Sequence, residues 1–403
     1  MNTTRRQFLK NTGAASLGLG MATPSFAQSA SKKIAPPEAW TLHGEQFRYT
    51  GEHENGWIQN FTSTVEPLPD NRWRVWTSTS VPKSEIKNIG YHEGTIGGKW
   101  KAVHAVCTTG EPDPDAELAI GGMPEGSHPV QVVTLRLQGG RTRLYFWAHG
   151  GGVVRYVAAD SIDESARRFR VINPLTPCLY HPGDRAVSGA ITSEAGLTRR
   201  AKQEAHPIAG EELATAALLS NDATNVYQLP DGTFEMYSVA LVQVEKDDPR
   251  YAPQDNLKGY MRVIDRYTSA DGLTWGNRKR VITPDADDPI DQQFYYLSVT
   301  YTDQGRLGLL GSYSLDAQAI DIEPCYSDDG ITWHRPARTP WIPRDKPGKG
   351  VATYLLHAPH NLVQRDGKWW LFYTGGNFAH NHKHSHGEPD RAILAASCDS
   401  LWV

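Results

Sequence analysis

Three carboxyl side chains, Glu54, Asp222 and Asp291, stand at the beginnings of predicted β-strands. Asp222 is followed directly by an apolar strand, whereas Asp291 follows a loop that is itself acidic. Two facing carboxyl groups can cleave a glycosidic bond, because one donates a proton to the leaving oxygen while the other acts as base or nucleophile. Repulsion between carboxylates raises one pKa and so supplies the acid. We take these three residues as catalytic candidates, with a turn-forming role as the alternative for each.

Other side chains near these positions predict the rest of a site. Glu323 precedes an Asp-Gly turn and could point inward as a further acid, unless it is simply an exposed strand carboxylate. Trp57, close to Glu54, could stack on a sugar ring. The predicted substrate-binding residues, most of which stand near the starts of strands, are Trp57, Asn60, His128, Gln131, Asn225, Gln293, Tyr295, His357, His360 and Asn361.

The same residue set leaves two other functions open. A polysaccharide lyase would use His128, His357, His360 and Tyr295 to abstract a proton beside a uronate carboxylate, which a cation must hold; the available cations are Arg136, Arg155 and Arg391. A non-catalytic sugar-binding module would instead present aromatic and amide groups with no carboxyl pair.

The run His380-Asn381-His382-Lys383-His384-Ser385-His386 could hold a metal ion, since alternating histidines on a strand face one side. An exposed loop that contacts substrate explains it equally well. We expect no cofactor and assign no metal ligand.

A repeated hairpin must position these groups. A polar stretch, an apolar strand, a tight turn and an aromatic strand recur five times, most clearly around the Asp231-Gly232 turn. Five four-stranded units predict an all-β, five-bladed β-propeller of antiparallel blades, over residues 50–105, 127–172, 218–283, 290–340 and 355–400. The first strand of each blade lines the axis of a propeller, so their polar starts converge on one funnel.

Two Asp-Gly-x-x-Trp turns, at Asp271 and Asp329, follow two of these hairpins. The Asp can accept backbone N–H bonds and the Gly permits positive φ, so we interpret both turns as structural.

These hairpins and turns resemble the five-bladed propellers of glycoside hydrolase families 43, 32 and 62. The segments that carry the resemblance begin at Asn221, Asp291, Leu307 and Tyr373, and it covers most of the chain after the leader. By this resemblance, Asp222 would act as the base. The sucrose-binding box of family 32 is absent, which argues against fructan substrates, and no Glu on a first strand matches the acid of family 43.

The N-terminus predicts where the protein works. Arg5-Arg6 precedes a short, weakly apolar run and a cleavage site after Ala27, which is the pattern of a twin-arginine signal peptide over residues 1–27. We expect residues 28–48 to be a linker or N-terminal extension, 49–403 to be the propeller, and the protein to be periplasmic or secreted.

The net charge of −4 without basic clusters argues against nucleic acid, and no later segment is apolar enough for membrane insertion. The expected partner is an oligo- or polysaccharide, and the four scattered cysteines predict no disulfide framework.

Overall fold

The computed structural model describes residues 32–48, 57–80, 87–150, 153–172, 217–255, 259–381 and 384–403. For residues 57–63, 80, 153–155, 217–222 and 243 it describes the backbone alone. The predicted signal peptide, Glu54 and Cys178 lie outside the described residues. Regular structure begins with one turn of 3-10 helix, Pro37–Ala39, and strand β1, Thr41–Phe47.

Two four-stranded antiparallel sheets have a simple order, in which each strand pairs with the next along the chain. The first sheet consists of β2 (Trp57–Pro67), β3 (Trp73–Ser80), β4 (Lys87–Gly94) and β5 (Trp100–His104). The turn between β2 and β3 has Asp70 and Asn71 at φ 58° and 57°, the paired left-handed conformation that matches strand twist. The other such sheet consists of β12 (Ala217–Gln228), β13 (Phe234–Gln243), β14 (Tyr260–Ser269) and β15 (Gly276–Ile282).

A six-stranded sheet lies between these two in the chain. Its order is β6-β7-β11-β10-β9-β8, in which β7 pairs in parallel with both β6 and β11. The strands are β6 (Val106–Cys107), β7 (Ala119–Gly121), β8 (Ser127–Arg136), β9 (Thr142–Gly150), β10 (Val153–Ser161) and β11 (Arg168–Ile172).

The remaining strands form one eight-stranded sheet, including β1. Its two halves meet where β18 and β19 pair in parallel through Ile320 and Leu355. The strands are β16 (Gln292–Thr302), β17 (Gly305–Ser314), β18 (Ala319–Ser327), β19 (Leu355–His357), β20 (Val363–Arg365), β21 (Lys368–Gly376) and β22 (Arg391–Cys398). The prediction of an all-β chain that contains several-stranded antiparallel sheets is confirmed for the described residues, two of the four sheets being four-stranded and fully antiparallel, and the arrangement is consistent with a β-propeller.

Strand β1 lies at the outer edge of this last sheet, antiparallel to β22. We predicted that residues up to 48 form a linker or extension, so residues 41–47 differ from that expectation. His43 Nε2 lies 2.8 Å from Ser397 Oγ, and the backbone N–H of Ala35 donates to the carbonyl of Leu401. The N-terminal strand therefore completes the sheet that the C-terminal strands begin.

The first strands of successive sheets contact one another around a central channel. Thr64 Oγ1 accepts a hydrogen bond from the Thr134 N–H, and Asn225 Nδ2 donates to the Leu297 carbonyl. On the eight-stranded sheet, the Leu362 N–H donates to Thr300 Oγ1. Between the sheets, the core is aromatic and β-branched, with Trp76, Trp147 and Tyr296 almost fully buried, as expected of face-packed sheets.

The two Asp-Gly turns have the structural role that we predicted. Asp271 Oδ1 accepts the N–H groups of Leu273 and Thr274, and Asp329 Oδ1 does the same for Ile331 and Thr332. Each glycine carbonyl also accepts a hydrogen bond from a tyrosine hydroxyl of the preceding sheet. Tyr145 donates to Gly272, and Tyr237 donates to Gly330. Each turn thus joins two sheets.

We expect Gly330→Ala to destabilise the fold more than Gly367→Ala. Both glycines have nearly the same φ, 75° and 74°, but a Cβ on Gly330 would lie 2.5 Å from Tyr237 Oη, while one on Gly367 meets nothing within 4 Å. The left-handed backbone costs alanine about 1–2 kcal/mol at either site, and the clash adds about 1 kcal/mol or more at Gly330. Urea unfolding of the two variants measures this difference. Equal losses would contradict the proposed junction.

Candidate functional site

The channel has two distinct ends. We call the end at which β8, β12 and β16 begin the upper end, and the end at which they finish the lower end. Because neighbouring strands are antiparallel, the connections from β13 to β14 and from β21 to β22 also lie at the upper end. Residues from several sheets can therefore meet there.

Each of four first strands breaks its pairing register near the upper end. The breaks lie between Ile58 and Thr62, Val130 and Val133, Leu219 and Thr224, and Phe294 and Leu297. Four predicted site residues fall inside these breaks, one on each strand: Asn60, Gln131, Asp222 and Tyr295. β-bulges re-aim side chains and occur often beside active sites. The structure thus places four candidates at equivalent positions around the channel.

Tyr295 is the centre of a buried aromatic cluster at the upper end. Its ring centroid lies 4.9 Å from that of His380, 5.8 Å from that of Tyr313 and 6.0 Å from that of His357. In all three contacts the ring planes are close to perpendicular, one of the arrangements that aromatic pairs prefer. The cluster joins the predicted residues Tyr295 and His357 to two that we had not assigned to binding.

A buried ion pair supports this cluster from below. Arg262 Nη1 donates to Asp255 Oδ2 at 2.9 Å, and both side chains are fully buried. Tyr313 Oη donates to the other carboxylate oxygen at 2.8 Å, and Gln293 Oε1 accepts from Arg262 at 2.9 Å. Burial pushes the pKa of Asp255 up, but Arg262 and these hydrogen bonds bring it below its usual value. Asp255 is therefore held as an anion.

The guanidinium of Arg262 faces the rings of Tyr295 and Tyr313, at 5.1 Å and 5.3 Å from the centroids. Arg391 lies in the same region, where burial lowers its pKa to about 10, so it stays cationic at neutral pH. Burial, together with Arg391 and His380, holds the pKa of His357 well below its usual value. The upper end thus combines a neutral histidine, a tyrosine and two cations.

A second group of predicted residues lies at the start of β8. The ring of His128 lies 5.4 Å from that of His149, the residue opposite it on β9. Burial, His149 and Lys87 lower the pKa of His128 to about 4. Gln131, the first residue of the bulge, has φ 57°, and its N–H donates to Ser78 Oγ at 2.6 Å.

The two described carboxylate candidates differ in their surroundings. Asp291 is half-buried, and one of its oxygens accepts from Ser314 Oγ and the Asp316 N–H. Glu323 is buried in a two-pronged ion pair with Arg335, at 2.7 Å and 3.0 Å. Both oxygens of Glu323 are thereby committed to a guanidinium, which does not suit a proton donor. We therefore assign Glu323 a structural role, contrary to our expectation.

His360 and Asn361 also lie elsewhere than predicted. The ring of His360 stacks on Tyr227 at 4.4 Å, and its Nε2 lies 2.8 Å from the Val226 carbonyl. Both residues line a cavity at the lower end of the channel, and Arg136 lines it too. The three are therefore separated from the Tyr295 cluster. Asn225 is buried, and its side-chain amide donates a hydrogen bond to the Leu297 carbonyl. We therefore interpret this amide as structural.

Several predicted residues cannot be placed fully. Trp57, Asn60 and Asp222 lie on described strands, but their side chains, like that of Arg155, are outside the described part, and Glu54 is outside it entirely. Among the residues whose positions are described, no group of three or more His, Cys, Asp or Glu side chains could hold a metal ion. His382 lies outside that set. His380 packs in the Tyr295 cluster and His384 is exposed.

Sequence analysis missed Asp255, Arg262 and Tyr313. Arg262 interrupts an apolar run, Tyr260-Met261-Arg262-Val263-Ile264, and a charged residue within a central strand signals a buried partner. Asp255 lies in the preceding connection, where nothing local marks it, so its pairing with Arg262 could not be read from spacing.

Comparison with solved structures finds the same fold in several carbohydrate-active proteins. An α-L-arabinofuranosidase from Podospora anserina, in complex with cellotriose, superposes with a TM-score of 0.52 at 10% identity over 92% of this chain and 98% of that one. An N-acetylgalactosamine deacetylase from F. plautii, in complex with blood group B trisaccharide, gives 0.50 at 15% identity over 91% and 95%. A protein described as a glycoside hydrolase gives 0.50 at 12% identity over 92% of both chains. This chain therefore shares its fold with these three proteins.

No protein-family model matches the sequence, and no curated protein is similar to it. In the described part of the chain, no helix has the length and apolar character needed to cross a membrane.

We expect stability to fall as the pH drops below about 6.5, the usual histidine value. Burial lowers the pKa of His92 to about 3 and that of His360 to about 4, so both are neutral in the folded protein, while the unfolded chain takes up their protons. The unfolded state therefore binds more protons between these values, and unfolding free energy rises with pH by up to about 1.4 kcal/mol per unit for each such group. Urea titrations from pH 7 to pH 4.5 measure the slope.

His92→Phe keeps the stacking on Phe47, at 4.3 Å, but removes one titrating group. This variant should show a shallower slope than the unmodified protein. Identical slopes would contradict the assignment of a neutral, buried His92.

Proposed function

We propose that this protein is a glycan-acting enzyme, a glycoside hydrolase whose active site lies at the upper end of a five-bladed propeller. One observation carries the proposal: four first strands bulge at the same level, and each bulge holds a polar or aromatic candidate residue. The fold shared with sugar-bound structures supports carbohydrate as the substrate class.

The blade count follows from dividing the eight-stranded sheet at its single parallel pair, Ile320 with Leu355. One half is then β16 to β18, and the other is β19 to β22 closed by β1. With the other three sheets this division makes five blades.

Asp222 is our candidate for the general base. It lies inside the bulge of β12, where the backbone turns away from regular pairing with β13. Asp291, just before β16, is the second candidate carboxylate, and hydrogen bonds from Ser314 Oγ and the Asp316 N–H hold its side chain in one orientation. Glu54 precedes β2 in the sequence and stays a candidate for the acid. Tyr295 and His128 would contact the sugar.

Replacing the base should reduce turnover strongly. General acid–base catalysis contributes roughly 10²–10⁴-fold, so we expect Asp222→Asn to lose about that much activity without unfolding. Release of reducing ends from a panel of oligosaccharides is the measurement, and Asp291→Asn is tested in parallel. Asp303→Asn, an exposed residue of the β16–β17 turn at the lower end, is the matched control. Full turnover in both Asp222→Asn and Asp291→Asn would refute the assignment.

The Tyr295 cluster favours a second candidate function, a polysaccharide lyase. Tyr295 and the neutral His357 could exchange a proton with a uronate, while Arg391 supplies the positive charge that its carboxylate requires. Lyase products absorb as unsaturated uronates, whereas hydrolysis yields reducing ends without that absorbance. Tyr295→Phe would abolish lyase turnover but only weaken hydrolysis.

We further propose that twin-arginine export delivers the enzyme to the periplasm, which cell fractionation tests.

A further inference from the structure

The lower end of the channel contains a cavity of about 510 Å³ that the proposed reaction does not use. Residues from the first strands of every sheet line it, together with the loop that precedes β20. Its floor is buried and includes Thr64, Thr134 and Thr300. Its rim includes the exposed Arg136 and Gln364 and the half-buried Trp369. A volume of this size accommodates a single sugar ring.

A buried hydroxyl without a partner lies in the floor. Thr134 is 4% exposed, and its Oγ1 has no hydrogen-bond partner among the described residues. Its backbone is fully used, since the N–H donates to Thr64 Oγ1 and the carbonyl accepts from the same hydroxyl. An unpaired buried hydroxyl is unfavourable, and a hydrogen bond from a ligand hydroxyl would remove that cost.

The rim carries a cation that nothing in the cavity neutralises. Arg136 makes no ion pair or hydrogen bond within the described structure, whereas Arg141, five residues along the same hairpin, pairs with Asp160 at 3.1 Å. None of the described residues that line the cavity is a carboxylate. A guanidinium presents a planar fork of donors that matches a carboxylate in two-pronged geometry.

Trp369 offers an aromatic face beside this cation. Its neighbour Trp370 packs its ring against His43, Trp73 and Phe372, but Trp369 makes no such ring contact in the described part of the chain. Indole rings suit the apolar face of a sugar ring while leaving its hydroxyls free for hydrogen bonds.

We propose that the lower cavity is a second binding site, which takes an acidic sugar residue. Its carboxylate would pair with Arg136, its ring would lie on Trp369, and a ring hydroxyl would bond to Thr134 Oγ1. The site is non-catalytic, because it holds no carboxyl group and no free histidine nitrogen: both nitrogens of His360 are engaged. The proposal does not depend on which reaction occurs at the upper end.

Titration of the full chain with galacturonate tests the site, with galactose as the neutral probe of the same shape. We expect galacturonate to bind in the millimolar range or tighter, and galactose to bind at least about tenfold more weakly, since charged hydrogen bonds contribute roughly 1.5–3 kcal/mol. Added salt should weaken galacturonate binding, because the rim is exposed to solvent.

Arg136→Gln should lower galacturonate affinity by about tenfold or more and leave upper-end turnover unchanged. Arg141→Gln, an exposed arginine of the same hairpin outside the cavity, is the matched control and should bind normally. Thr134→Val should weaken binding while keeping or raising stability, because it removes an unpaired buried hydroxyl. Asp222→Asn should bind galacturonate normally, so loss of the proposed function and loss of this site are distinguishable.

The proposal is overturned if galacturonate does not bind at millimolar concentration, if galactose binds equally well, or if Arg136→Gln retains the affinity of the unmodified protein.

Discussion

Closure of the ring of sheets is the constraint on which the rest of the structure depends. The edge strand β22 finds its partner in β1, so residues such as His43 and Ser397, 354 positions apart, must meet. The entropic cost of closing so long a loop grows only slowly with loop length. The chain loses this entropy before the stabilising contacts form. Trp341 Nε1 donates to the Ala35 carbonyl at 2.6 Å. This hydrogen bond holds the segment that precedes β1 in place. Without β1, the last sheet would keep an open edge at β22.

Buried charges join neighbouring sheets. Glu235 on β13 accepts from Arg266 of its own sheet and from Arg306 of the next, at 2.5 Å and 2.8 Å, and from Tyr301 at 2.7 Å. Burial would raise the pKa of this carboxyl, but the two guanidinium groups bring it below its usual value. Removing one partner of such a network leaves a buried charge unpaired, which is more costly than the pair itself is favourable. Glu235 therefore restricts how the sheets can pack. Asp255 and Arg262 form a comparable pair at the other end, but there the cation also faces Tyr295.

The hairpins and the Asp-Gly turns could be predicted because their information is local. Asp70-Asn71 and Asp366-Gly367 adopt positive φ as their residue types require, and Asp271 caps its own turn. The parallel β6-β7-β11 edge and the role of β1 were not predicted, because both depend on pairing between distant segments. For the candidate site, strand position alone singled out Tyr295 and His357, whose rings the structure places 6.0 Å apart. His360 lies only three residues after His357. His357 ends β19 and belongs to the Tyr295 cluster, whereas His360 lines the lower cavity, a separation that sequence periodicity does not encode.

The two ends of the channel differ for a reason that lies in the backbone. At the lower end, tight hairpin turns fix the register of each first strand, and regular pairing leaves side chains at predictable places. At the upper end, bulges break that register, and the connections between second and third strands bring in Asp255 and His380 from outside the repeat. An irregular backbone allows one strand start to differ from the next, so chemistry can vary there while the sheets stay alike. The regular end suits a rigid binding site instead. The proposed reaction at the upper end and the proposed recognition at the lower end are thus compatible within one channel.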